Sequence, residues 1–138
     1  MNKIIFLTLI SIQLYSGQIV VNAKNPLNTL SAETIKEIFT LRKLTWDNGD
    51  PIIVYMLPSA SLTQNALTST YLSMNADEYH ETWMQYILNG GMNKPPIFLN
   101  ERRLIKQLKR HSNAIGIVSD KVKLPAQIKA IYQFNESN

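Results

Sequence analysis

The apolar residues of this chain fall into short runs of two kinds, and polar, turn-forming clusters separate them. Gln18–Asn22 (Gln-Ile-Val-Val-Asn) is a β-branched run that ends at Asn25-Pro26, which predicts a strand followed by a turn. After it the period changes. Ser31 opens a helix whose apolar face is Ile35, Ile38 and Phe39, and Leu30 before the cap pairs with Ile35 as a hydrophobic staple. Trp46 and Asp47-Asn48-Gly49-Asp50-Pro51 then carry strong turn chemistry.

Ile52–Leu57 is apolar throughout, the pattern of a strand covered on both faces. Pro58-Ser59-Ala60-Ser61 ends it, and Ser61-Leu62-Thr63-Gln64 has the form of a capping box opening a helix to about Met74. Asn75-Ala76-Asp77-Glu78 is a second helix start. Tyr79, Trp83, Tyr86 and Ile87 would share one face of that helix, and Asn89-Gly90-Gly91 would stop it. Pro95-Pro96 leads into a short strand, Ile97–Leu99, and Asn100 caps a fourth helix that buries Leu104, Ile105 and Leu108. Ala114–Val118 reads as a strand. Gln127–Phe134 fits strand or helix, with strand preferred. Strands that alternate with amphipathic helices predict an α/β fold, a sheet covered by helices on both faces.

The first residues follow another logic. Lys3 precedes an apolar run from Ile4 to Leu14, and small residues follow at Ser16 and Gly17. This is the pattern of a secretory signal over residues 1–17, leaving residues 18–138 as one domain. The run is too short to span a bilayer. With no cysteine there can be no disulfide, thiolate metal site or lipidated N-terminal cysteine, so the expected location is a periplasm, without a lipid anchor.

The 138 residues suit a single core, and the formal charge is +4. Its densest positive region is Arg102, Arg103, Lys106, Lys109, Arg110 and His111, without the interleaved aromatics of a nucleic-acid site. A solvated helix face is the preferred reading, and no nucleic-acid partner is expected.

Chemistry-bearing constellations are sparse. His80 and His111 have no partner at metal-ligand spacing, so neither a metal nor another cofactor is expected. No nucleophile elbow, phosphate loop of the NTPase type or dinucleotide fingerprint occurs. First-turn placement explains Asp77, Glu78 and Glu81 as helix-dipole partners. Trp83 and its tyrosines read as core, Trp46 as a loop plug, and Asn22 and Asn25 as turn residues. The expectation is a protein that is not an enzyme.

In order and spacing, several stretches resemble the phosphate-binding-protein-like family of periplasmic solute-binding proteins, in particular short, single-lobe members. They are residues 19–26, Leu30-Ser31 with Ile35 and Ile38-Phe39, Trp46-Asp47-Asn48-Gly49, Ser61-Leu62-Thr63 with Ala66-Leu67, Trp83, Gly90 with Pro95-Pro96, and residues 113–118. The resemblance implies an α/β fold, a single three-layer lobe of the type II periplasmic-binding-protein-like fold with a mixed sheet flanked by helices, and phosphate or a related oxyanion as ligand. In that family a Ser-Gly-Thr type loop at a strand-to-helix turn holds the phosphate oxygens. The matching positions here are residues 59–63, which makes Ser59, Ser61 and Thr63 the candidate ligand-binding residues. The physical basis is general: the first amides of a helix lack internal partners, and the dipole is positive there.

Two positions depart from the family pattern. Leu62 stands where the loop has glycine, and Tyr55, Met56 and Leu57 occupy the stretch where the family carries an arginine. A dianion would therefore lack a bidentate guanidinium contact. Two readings stay open at this level. One is an oxyanion-binding module of a phosphate uptake system, with a membrane transporter permease as partner. The other is a non-catalytic interaction or scaffold module of the cell envelope that has lost its ligand, docked to an envelope protein or to a second copy of itself as a homodimer.

Overall fold

The computed structural model describes Ile5, residues 16–90 and residues 96–135. Most of the expected signal segment lies outside these residues, as do Gly91 and Pro95. The elements are β1 (Ser16–Asn22), α1 (Ala32–Phe39), β2 (Ile53–Met56), α2 (Leu62–Tyr71), α3 (Ala76–Leu88), β3 (Ile97–Phe98), α4 (Glu101–Arg110), β4 (Ala114–Ser119) and β5 (Ile128–Asn135). The segment that fitted strand or helix is thus a strand, β5.

Among the described residues, five strands form one mixed sheet in the order β3-β2-β4-β1-β5. β2 runs parallel to β3 and β4, while β1 lies antiparallel between β4 and β5. Two glycines show how the layers pack. Side chains alternate across a strand, and Gly17 pairs with Ser119, so Gly17 and Gly116 lie on opposite faces. A methyl group on Gly17 would meet Phe134 and the Thr63 methyl of α2. One on Gly116 would sit 2.7 Å from Leu104 of α4. α2 and α4 therefore cover opposite faces of the sheet, and the architecture is helix–sheet–helix. Leu104 and Leu108 are fully buried against β4, each worth about 1.5–3 kcal/mol in area removed from water.

Several boundaries differ from the sequence reading by a residue or more. β1 begins at Ser16, because Ser16 and Gly17 pair with Asn135 and Phe134 of β5. α2 stops at Tyr71 and not near Met74, since Leu72 closes the helix and Ser73 turns to φ 52°. β3 has only two residues, both exposed at the sheet edge.

The expected structural polar residues fill those roles. Asn22 donates to the carbonyls of Leu108 (2.8 Å) and Lys109 (3.2 Å), which caps the end of α4. Asn25 donates to Ser112 O and accepts from the Leu27 amide. Trp46 is buried, and its indole N–H donates to Asn113 O at 2.8 Å, pinning the turn around Gly49 (φ 91°) to the domain. Among the described residues, no helix is long and apolar enough to cross a membrane.

Candidate functional site

The strand-to-helix turn from β2 to α2 is built from the inside outward. Gln64, 2% exposed, accepts the Leu57 amide at 3.2 Å and so ties the end of β2 to the first turn of α2. Its Nε2 reaches the Met56 sulfur at 3.9 Å. The capping box expected from Ser61 and Gln64 is thus half formed. Ser61 Oγ accepts the Gln64 amide (3.3 Å), but the Gln64 side chain points into the core, and the Ser61 amide bonds Pro58 O (2.8 Å) instead.

This leaves a defined set of free donors. The Asn65 amide is taken by Ser61 O, and the Gln64 amide by Ser61 Oγ. Among the described residues, the amides of Leu62 and Thr63 have no hydrogen-bond partner. Leu62 itself is 53% exposed, so its side chain does not fill the turn from the core side.

The three candidate residues are disposed differently. Ser59 is exposed and lines a cleft of about 290 Å³ together with Pro58, Gln64, Tyr79, His80 and Phe98. Ser61 is half-buried. Its oxygen already accepts, which leaves its hydrogen available to donate. Thr63 is half-buried, with its methyl group toward Gly17. Ser61 and Thr63 do not line the cleft; the structure brings only Ser59 into it.

Three of the six lining residues carry aromatic rings, and none is Lys or Arg. Tyr79 donates its hydroxyl to Phe39 O at 2.8 Å, which locks α3 to the end of α1, and burial pushes its phenol well above the usual tyrosine range. The Trp83 indole N–H is buried without a hydrogen-bond partner among the described residues. His80 stands 6.4 Å from the Phe98 ring, centroid to centroid.

Electrostatics single out this helix start. The first turns of α1, α3 and α4 carry Glu33, Asp77 with Glu78, and Glu101. The first turn of α2 carries no acid. A helix N-terminus behaves as roughly half a positive charge. Among the helices of the described residues, α2 alone has no first-turn acid to compensate it. The arrangement suits non-covalent capture of a negative group.

A second cavity, of about 410 Å³, opens at the other end of the sheet, with Lys24, Asn25, Trp46, Asp47, Asp50 and Asn113 in its lining. Sequence reasoning did not foresee it, since its walls come from three turns far apart in the chain. Among the described residues, no group of three or more His, Asp or Glu is placed to hold a metal.

No family profile matches the sequence, and no curated protein matches it. Solved structures do. An ABC-type phosphate transport receptor from Vibrio cholerae superposes with a TM-score of 0.66 over 86% of this chain, at 17% identity. A protein from Clostridium perfringens, described as a phosphate ABC transporter substrate-binding protein with bound phosphate, gives 0.65 over 86% at 18% identity. The chain has the fold of one lobe of a phosphate-transport receptor. It spans 46% and 44% of those two proteins, less than half of each. PstS from Borrelia burgdorferi matches with a TM-score of 0.59, at 10% identity and over 41% of its length. At these identities the likeness concerns the lobe's architecture, the mixed sheet with helices on both faces.

Proposed function

We propose that this protein is an exported, non-catalytic binding module that takes phosphate or a related oxyanion at the start of α2. The amides of Leu62 and Thr63 supply the primary donors, and the hydroxyls of Ser59, Ser61 and Thr63 add oriented hydrogen bonds. The observation that carries this reading is the acid-free, partly unpartnered first turn of α2, set on a fold otherwise seen in phosphate receptors. No lysine or arginine lines the cleft beside this turn, so the expected affinity is modest. A transporter permease is the membrane partner this reading implies.

The test is calorimetric titration of the purified chain with phosphate and with sulfate, paired with thermal unfolding. Ligand at about 100 times its dissociation constant stabilises by ~2.7 kcal/mol, so a rise in melting temperature is expected at millimolar phosphate. No heat and no shift at those concentrations would remove the oxyanion reading.

One observation favours a second reading, an envelope interaction module without a small ligand. Phe98 and Leu62 are 41% and 53% exposed, and Phe98 lines the apolar cleft beside α2, where a partner protein could seat. A stable homodimer by light scattering, or an envelope protein cross-linked through Phe98, together with silent calorimetry, would favour that reading over the first.

A further inference from the structure

The chain's excess charge is confined to one helix. It holds 14 lysines and arginines against 10 acids. α4 contributes Arg102, Arg103, Lys106, Lys109 and Arg110 with Glu101 as its single acid, so the rest of the chain balances at nine of each. The whole net charge of +4 therefore sits on ten residues.

Helical geometry then gathers these cations. At 3.6 residues per turn, Lys109, Arg102, Lys106, Arg110 and Arg103 fall within an arc of about 120° along a helix about 15 Å long. All five are exposed. Leu104 and Leu108 hold the opposite side rigidly in the core, and Ile105 packs against it. Glu101 lies outside that arc, its Oε1 accepts the Ser119 amide at 2.7 Å, and it forms no ion pair with the five cations. Among the described residues the single ion pair is Lys43–Asp47, so none of the five cations is paired. The like charges stand unrelieved on adjacent turns, an arrangement that raises the free energy of the isolated helix.

We propose that the outer face of α4 is an electrostatic docking strip for an anionic lipid surface. The partner follows from what the strip holds and lacks. Its arginines and lysines match phosphodiester headgroups, and a juxtaposed anionic bilayer attracts each basic residue. Protein–protein hot spots centre on buried aromatic or aliphatic anchors, and this arc has none. Single-stranded nucleic-acid sites interleave stacking aromatics, also absent from it. α4 covers the sheet face opposite α2, so the strip does not depend on the oxyanion site.

The test is co-sedimentation of the full chain with phosphatidylglycerol–phosphatidylcholine vesicles, beside pure phosphatidylcholine vesicles and a single-stranded oligonucleotide. Binding to the anionic vesicles alone is expected, and added salt should weaken it. At roughly fivefold per neutralised cation, Arg102→Gln, Lys106→Gln and Lys109→Gln together should weaken binding about a hundredfold. A control that neutralises the exposed Lys24, Lys36 and Arg42 should change it far less. Circular dichroism of both variants checks that the fold is kept. No binding to anionic vesicles at low salt would overturn the proposal. So would equal losses in the two triple variants, or an oligonucleotide that binds at lower phosphate concentration than the vesicles.

Discussion

α2 and α3 follow one another in the chain and begin in the same way, yet they end in opposite electrostatic states. Each has an extended N-cap residue, Ser61 or Asn75, whose side-chain oxygen accepts the amide three residues on, from Gln64 at 3.3 Å or Glu78 at 2.9 Å. In α3 the local sequence completes the job: Asp77 and Glu78 stand in the first turn, and Asn75 Nδ2 donates back to Glu78 Oε1 at 2.8 Å. In α2 the corresponding side chain, Gln64, is drawn into the core to serve Leu57, and no acid replaces it. Capping satisfies hydrogen bonds; it does not by itself neutralise the dipole. α3 is electrostatically closed by its own residues, and α2 is left open.

The contrast can be broken most forcefully at the third helical position. Gln64→Leu should cost about 1–3 kcal/mol, because it leaves the buried Leu57 amide without its acceptor. Glu78→Gln, at the matching but exposed position of α3, should stay within about 0.5 kcal/mol. Urea unfolding of the two variants measures the difference, and equal losses would mean that Gln64 acts only as a local cap.

Next in size are the caps themselves. Ser61→Ala and Asn75→Ala should each lose about 1 kcal/mol of stability. Only Ser61→Ala should also weaken phosphate binding in calorimetry.

The smallest change in stability is the most discriminating, because its two readouts move in opposite directions. Leu62→Glu puts an acid in the first turn of α2, as α1, α3 and α4 have. It should raise stability by about 0.3–1 kcal/mol while suppressing phosphate and sulfate binding. Leu62 is exposed, so the core does not resist the change. A variant that still binds phosphate like the parent chain would mean that the open dipole is not what attracts the ligand.

The same contrast explains what could be read from the sequence. All four helix starts were legible, because Ser31, Ser61, Asn75 and Asn100 each act within three residues of themselves. The buried strand β2 was legible from an unbroken apolar run, and the core placement of Trp83 and Tyr79 from helical spacing. What escaped depends on residues that meet only in the fold. Gly17 reads as a small residue near a processing site, but in the sheet it makes room for Thr63, 46 positions on. That contact turns a candidate ligand's methyl group inward, and nothing near Thr63 announces it. Gln64 fits a capping box from its spacing alone, and only the approach of Leu57 diverts it. The basic stretch of α4 was visible as composition. Its full share of the net charge on one rigid face emerged once Leu104 and Leu108 fixed the helix orientation.

The amide signals of the two helix starts give the most direct test of the open dipole at α2. Phosphate titrated into isotope-labelled protein, followed by ¹H–¹⁵N correlation spectra, should shift Leu62 and Thr63 along saturable curves with a common midpoint. Asp77 and Glu78, at the start of α3, should stay in place. If all four move together, or Leu62 and Thr63 do not move at millimolar phosphate, the first turn of α2 does not hold the anion.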